Sequence, residues 1–406
     1  MDLTFPEATE RVRHDVREFL AANLPTDWRG IGALDETERT EYRASWREAL
    51  LKERWIAPAW PVEFGGAGLD LAAQAVVAEE FVAAGVPQYP APCDGNGFML
   101  LGPTMLHWGT HEQKHRFLPA TVSGDIRWAQ GYSEAEAGSD LFGLRTRAAL
   151  RDGKWIIDGH KMWQTAGLHA NWIFVLARTD PTAPKSKGLS LLLVPLDQPG
   201  VEVRGIRNMA GEVEFAEVFF DQAETEEANV LGPINEGAKV ALTLLGFERG
   251  AGGLAVTRSY LIELERLTEL ARANGRLGDP RVLERLADCR ATIHVLRNLA
   301  YKSLSAGLAG SPPGPESSVF KLVTAEYRQT VTELAMDLLG AAVLAPGGPA
   351  SVVGLGPQPR GVDAFSAQVW FTDLLQARPV TVYGGSSQIQ RDTISERVLG
   401  LPRSRR

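Results

Sequence analysis

His111-Glu112-Gln113-Lys114-His115 reads HEQKH. This is the H-E-x-x-H spacing that sets two imidazoles on one face of a helix with a carboxylate beside them. On a metalloprotease helix such a set holds zinc and supplies a general base. A working site needs a third ligand, and the nearest downstream candidates are Glu134 and Glu136. The longer signature needs a glycine where Leu118 stands, and Pro119 follows at once. The expectation is therefore a short solvated helix and no metal. His107, His160, His169 and His294 show no ligand spacing and read as structural.

The elements that carry these residues fall into three blocks. The first reads helical. Thr4 to Glu7 has capping-box spacing with Pro6 in the first turn, and Val12, Val16, Phe19 and Leu20 then recur on one face. The run AAQAVVAEEFVAAG is a second helix, closed by Gly85 and Pro87. From Ile126 the texture turns to short strand-like runs. Asp152-Gly153 and Asp158-Gly159 lie between such runs and read as hairpin turns. From Glu236 long amphipathic patterns return, broken by AGSPPGPESS and PGGPASVVGLGPQPRG. The fold class is α+β multidomain: an N-terminal helical domain over 1–125, a middle antiparallel β-domain over 126–235, and a C-terminal four-helix-bundle domain over 236–406.

Composition removes several classes of function. A formal net charge of -8 disfavours a nucleic-acid surface, which needs clustered Lys and Arg. No apolar run reaches the roughly 18 residues of a membrane helix. The acidic start MDLTFPEATERV lacks the regions of a signal peptide. Two cysteines, Cys93 and Cys289, make no disulfide framework, so a cytoplasmic setting is expected.

Four segments, in order, resemble the acyl-CoA dehydrogenase family over nearly the whole chain. They are GTHEQKHRFLP, YSEAEAGSDLFGLRTRA, DGHKMWQTAGLHANW and VYGGSSQIQRDTISERVLG. The resemblance implies an FAD-dependent enzyme that converts an acyl-CoA to a trans-2-enoyl-CoA and passes electrons to an electron-transfer flavoprotein. Dehydrogenation needs a base at Cα, a hydride acceptor near Cβ and donors on the thioester carbonyl. The flavin supplies the acceptor.

The implied roles transfer residue by residue. Gln130 and Ser133 contact the pyrimidine end of the isoalloxazine. Gly138 and Ser139 bind the pyrophosphate. Trp163 covers one flavin face, with Thr165, two residues on and pointing the same way, at the N5 edge. Ser386 and Gln388 contact the adenosine half, and Arg391 fits a structural ion pair equally well. Many members carry the base after the tyrosine of the last signature, but here Gly384 follows Tyr383 and cannot titrate. A second branch carries it on an earlier helix in a Glu-Arg pair, which is Glu248-Arg249 here. Glu248 follows the apolar run Ala241 to Phe247, whose burial would raise its pKa toward that of a working base. The Gly384 N–H donates to the thioester carbonyl, and Arg249 either supports this corner by charge or pairs at the surface. Asn96, Gly97, Leu101 and the region of Leu245 form the pocket wall, where Gly97 and Gly246 leave room for a bulky or branched acyl group. Cys93 either lines this pocket or packs as a small buried residue.

The chain departs from the pattern where family homotetramers clamp the FAD of a neighbouring subunit. The Arg-x-x-Phe-Gly segment is absent, Asp337 replaces a glutamine and Ala341 a glycine. Two assemblies follow: a heterotetramer with a non-identical subunit, as in the actinobacterial steroid-side-chain enzymes that the FERG and GYSE segments resemble, or a homo-oligomer with FAD held differently. The alternatives in activity are an acyl-CoA oxidase and a non-catalytic structural subunit.

Overall fold

Five helices lead the chain: α1 (Glu7–Asn23), α2 (Glu36–Lys52), α3 (Leu71–Ala84), α4 (Gly102–Trp108) and α5 (His111–Ser123). Eight strands follow: β1 (Trp128–Gly131), β2 (Arg147–Arg151), β3 (Lys154–Thr165), β4 (Trp172–Arg178), β5 (Leu189–Pro195), β6 (Val201–Ile206), β7 (Phe215–Glu226) and β8 (Val230–Leu231). The chain then runs through α6 (Gly237–Glu248), α7 (Gly253–Ala273), α8 (Pro280–Leu308), α9 (Ser317–Leu339), α10 (Ala367–Ala377) and α11 (Ser387–Thr393). The computed structural model describes residues 4–248, 252–311, 314–315, 317–346 and 366–403. Among these, no helix is long and apolar enough to cross a membrane. The helical, β, helical order is the one expected from the sequence.

Two compact units cut across that order. A helical unit takes 1–45, 69–88 and 249–406, and a sheet unit takes 46–68 and 89–248. In the helical unit, α3 is apolar around its circumference, so α1 alone cannot cover it; α7 and α8 also pack on it. Ala75 of α3 joins Leu254, Ala300 and Leu304 in one cluster. Gly85 ends α3 in the left-handed region at φ 68°, as expected. The capping box at Thr4 does not form. α1 begins at Glu7 behind Pro6, whose carbonyl accepts from Thr9 at 2.9 Å and Glu10 at 3.1 Å. The first turn therefore closes on backbone instead of side chain.

Helices α7 to α10 share a second core through Leu267, Ile293, Val331 and Trp370. This core holds an unbalanced charge group. Arg328 donates to both Glu263 and Asp373, and all three side chains are at most 15% exposed. One oxygen of each carboxylate, Glu263 Oε2 and Asp373 Oδ2, is buried without a partner.

In the sheet unit the strand order is β6-β7-β3-β2-β4-β5-β8, with β1 beside β4. Most pairs are antiparallel, as expected, but β1 runs parallel to β4 from Trp128↔Trp172 to Gly131↔Val175. The β2–β3 hairpin lies between those two strands in the chain and lets the second re-enter in the same direction. Asp152-Gly153 is the hairpin turn, with φ of 50° and 76°. Asp158-Gly159 is not a turn. It lies inside β3, where the register with β7 slips between Ile157 and Gly159. A Cβ on Gly159 would sit 2.4 Å from Thr146 Oγ1, so this glycine serves a bulge and a close backbone approach.

The buried group in the helix bundle gives a pH prediction. Burial, and behind it the Asp373 carboxylate, push the Glu263 carboxyl up to about 7 against the pull of Arg328. A carboxyl raised on folding stabilises below its unfolded value, and that stability is lost as pH rises through the folded value. Melting temperature is expected to fall between pH 5 and pH 8, with up to roughly 3 kcal/mol at stake. Glu263→Gln should flatten the dependence. Arg328→Met leaves two facing buried carboxylates and should cost about 3–5 kcal/mol at pH 8 by urea denaturation.

Candidate active site

β3 carries the exposed aromatic that the sequence singled out. Its pairing with β7 slips a second time, between Met162 and Gln164, and Trp163 is the extra residue. Trp163 adopts φ 67°, a region that costs a bulky residue strain, and it remains 53% exposed. Gln164 is fully buried and donates to the Met162 carbonyl at 2.8 Å, bracing the bulge. Thr165 is exposed again. Trp163 and Thr165 thus both stand clear, on either side of a buried residue. The strand end is fastened from the segment before α4. Asn96 donates to the Trp128 carbonyl at 3.0 Å and the Thr165 carbonyl at 3.4 Å, and the Cys93 thiol donates to the Ala166 carbonyl at 3.5 Å.

A buried charge anchors the loop after β1 to the same strand. Lys161 is fully buried and donates to the Tyr132 carbonyl at 3.0 Å and to Glu134 Oε1 at 2.8 Å. Glu134 also accepts from the backbone N–H groups of Arg145 at 2.7 Å and Thr146 at 2.9 Å. The Met162 N–H donates to the Ser133 carbonyl at 2.9 Å. Burial alone would raise the Glu134 carboxyl; the Lys161 charge and these donors hold it below the ordinary carboxylate value. Burial pulls the Lys161 ammonium down to about 8, with Glu134 opposing. Paired backbone bonds between Glu134 and Ala137 then close a tight turn, beyond which Gly138 and Ser139 are exposed. A Cβ on Gly138 would meet nothing within 4 Å, so packing does not demand glycine there. Gln130 is half-buried on β1, opposite Phe174 of β4. The loop and the end of β3 thus bring Gln130, Ser133, Trp163 and Thr165 into one unit around a single buried ion pair.

The other expected residues are placed less directly. Glu248 closes α6, but its side chain and the whole of Arg249 lie outside the described residues. Within the apolar run before it, Ala241 and Leu244 are buried, while Leu242 is 58% and Phe247 37% exposed. The run is two-faced, which corrects the expectation of burial along its whole length. Gly384 lies in the helical unit at φ 63°. Ser386 caps α11, its hydroxyl accepting from the Ile389 N–H at 3.3 Å, and Gln388 is exposed. Arg391 pairs with Glu326, the structural alternative. Asp337 is not an isolated negative charge, because Arg285 pairs with it.

Two further readings change. Gly97 leaves no room for a ligand, since its missing side chain is replaced by Thr121, 2.8 Å from where a Cβ would be, and by Trp128. Gly246 does face open space. HEQKH begins α5, with Thr110 as N-cap and Gln113 completing a capping box. Gln113 is buried and donates to the carbonyls of Ala228 and Val230, both at 2.8 Å, so it is the anchor of this segment. The His111 and His115 rings pack edge to face at 4.1 Å. The sequence pointed to Glu134 only as a candidate metal ligand and gave Lys161 no role. The available signal was a lysine among the apolar residues of a central strand, where a charge must have a buried partner.

Models of the acyl-CoA dehydrogenase N-terminal, middle and C-terminal domains match residues 6–125, 129–223 and 235–399. The acyl-CoA dehydrogenase IpdE1 of Mycolicibacterium smegmatis is 38% identical, over 97% of this chain and 98% of its own. Among solved structures, the Tcur3481-Tcur3483 steroid ACAD superimposes with a TM-score of 0.80 at 30% identity, covering 100% of both chains. The ChsE4-ChsE5 complex from Mycobacterium tuberculosis gives 0.79 at 28%, again over 100% of both chains.

Removing one member of the buried pair leaves the other charged and alone. Lys161→Met is expected to cost about 3–5 kcal/mol in chemical denaturation, and Lys161→Met with Glu134→Gln together to cost less than Lys161→Met alone.

Proposed function

This chain belongs to the acyl-CoA dehydrogenase family, and we propose from that premise that it is the base-carrying, FAD-binding subunit of a two-component dehydrogenase acting on a bulky, ring-bearing acyl-CoA. The family reaction is FAD-dependent α,β-dehydrogenation of an acyl-CoA thioester to the trans-2-enoyl thioester. The observation that carries the reading is Trp163, a large aromatic left exposed on a strained bulge and braced from beneath. Strain of this kind persists where the surroundings over-determine it and a partner uses it.

The residues present fit a flavin. Trp163 offers a flat aromatic face and Thr165 a hydroxyl beside it, both uncovered by their own unit. Gln130 and Ser133 supply polar groups from the neighbouring strand and loop, held by Lys161 and Glu134. Gly138 and Ser139 offer exposed backbone N–H and hydroxyl donors suited to a pyrophosphate. In the helical unit, Ser386 and Gln388 would receive the adenosine half, with the Ser386 hydroxyl still able to donate while its oxygen caps α11. FAD, when bound, supplies the hydride acceptor that no side chain can supply.

The rest of the chemistry falls to the chain. Glu248 takes the α-proton as general base. The Gly384 N–H donates to the thioester carbonyl, where negative charge grows as that proton leaves. Arg249 follows the base directly and offsets its charge. The electrons then pass to an electron-transfer flavoprotein.

Two observations support a non-identical partner subunit. Asp337 stands where the family places an amide that donates to a neighbour's FAD; a carboxylate cannot donate, and this one is committed to Arg285. The similar solved structures named for steroid ACAD and ChsE4-ChsE5 each combine two gene products. The same likeness supports a steroid-derived acyl group.

Glu248→Gln is expected to lower kcat by about 10²–10⁴-fold while leaving the bound-flavin absorption spectrum unchanged. Near-normal turnover in that variant would move the base elsewhere. The chain purified alone should carry less than one FAD per protomer by absorbance and gain full occupancy when co-expressed with its partner. Full flavinylation and turnover of a homo-oligomer would defeat the two-component reading.

A further inference from the structure

Four helices of the helical unit line an open cavity of about 560 Å³. α1 lines it with Arg13 and Arg17, α3 with Glu79 and Glu80, α7 with Arg258 and α8 with Arg297. Its carboxylates are already satisfied. Glu80 accepts from Arg13 at 2.7 Å and from Arg17 at 2.9 Å through each of its oxygens. Glu79 accepts from Arg297 at 2.7 Å and lies 3.7 Å from Arg13. Glu10, also on the lining, pairs with Arg13 at 3.0 Å.

What remains is donor capacity. Arg297 Nη1 is buried with no hydrogen-bond partner. Arg258 is half-buried and makes no hydrogen bond or ion pair with any described residue. Among the described lining residues four guanidinium groups face three carboxylates, so positive charge is in excess. Arginine does not lose its proton in proteins, so the cavity cannot correct the imbalance by titration. The ion pairs that fasten α1 and α8 to α3 account for Arg13, Arg17 and one edge of Arg297. Among the described residues they do not account for Arg258, or for the open space beside it. That space lies within the size range of small-molecule sites.

We propose that this cavity binds a small organic oxyanion, a carboxylate- or phosphate-bearing metabolite, held by the uncommitted Arg258 guanidinium with the Arg297 charge beside it. Guanidinium groups on two helices suit a planar or forked oxyanion, which accepts paired charge-assisted hydrogen bonds. The site shares no residue with the proposed flavin contacts or with Glu248, so it stands whether or not those assignments do.

The test is calorimetric titration of the full chain with citrate and, separately, pyrophosphate, each against sodium chloride of equal ionic strength. Saturable binding of at least one probe is expected, weakened about tenfold or more in Arg258→Gln, the loss of one charge-assisted contact. Binding of citrate alone identifies a carboxylate ligand; binding of pyrophosphate alone identifies a phosphate. Arg258→Gln removes no contact within the described residues, so its melting temperature without ligand should match the parent, and a lost signal is then not a folding failure. Absence of saturable binding by both probes overturns the proposal, as does affinity that survives in both Arg258→Gln and Arg297→Met.

Discussion

A lysine ammonium with no exposed surface, placed inside a β-sheet, must be answered or the strand will not stay there. Lys161 is answered by one carboxylate and one carbonyl, from Glu134 and Tyr132, both on the loop that leaves β1. Because the charge cannot move to water, the loop cannot move from the strand. Glu134 then extends the constraint by accepting from two consecutive N–H groups just before β2. A single buried pair thus fixes a strand, the loop beside it and the entry to a third element. Replacing such a pair with apolar groups is often neutral or stabilising, so stability alone does not account for it. Its value here is geometric. Ser133 precedes Glu134, and the bulged Trp163 follows Lys161 by two residues. The polar and aromatic groups assigned to the flavin hang from the two members of the pair.

The helical unit solves burial of charge differently and less completely. Arg328 sits between two carboxylates, so the bundle holds an excess negative charge that only a proton can remove. Near α1 and α3 the imbalance has the opposite sign, and a proton cannot remove it because arginine is its source. The two imbalances therefore have different consequences. The acidic one is tied to pH and the basic one to an external anion.

Much of the fold was legible because its signals were local. The apolar run of α3 and its Gly85 stop depend on nothing distant. Asp152-Gly153 formed the hairpin its dipeptide encodes. Asp158-Gly159 has the same two letters and became a bulge, because what decides it is the approach of Thr146, just before β2. HEQKH shows the same limit from the other side. The eye goes to its histidines, but Gln113 carries the structural load by reaching Ala228 and Val230, more than a hundred residues away. Gly97 was read as space for a ligand because a sequence does not reveal that Thr121 fills it. Lys161 was missed, and Glu134 weighed only as a metal ligand, for a related reason: their pairing exists only once β1 and β3 lie in one sheet.

The proposed position of the base rests on a substitution at a distance. Gly384 removes the titratable group from the last signature, and φ 63° suits glycine there. On the function proposed above the base lies elsewhere, and α6 offers a place for it: Val240, Ala241 and Leu244 are buried and Glu248 closes the helix. Leu242, on the opposite side of α6 from Val240 and Leu244, is 58% exposed. A helix buried along one side and carrying a large apolar side chain on the other has a second surface to cover.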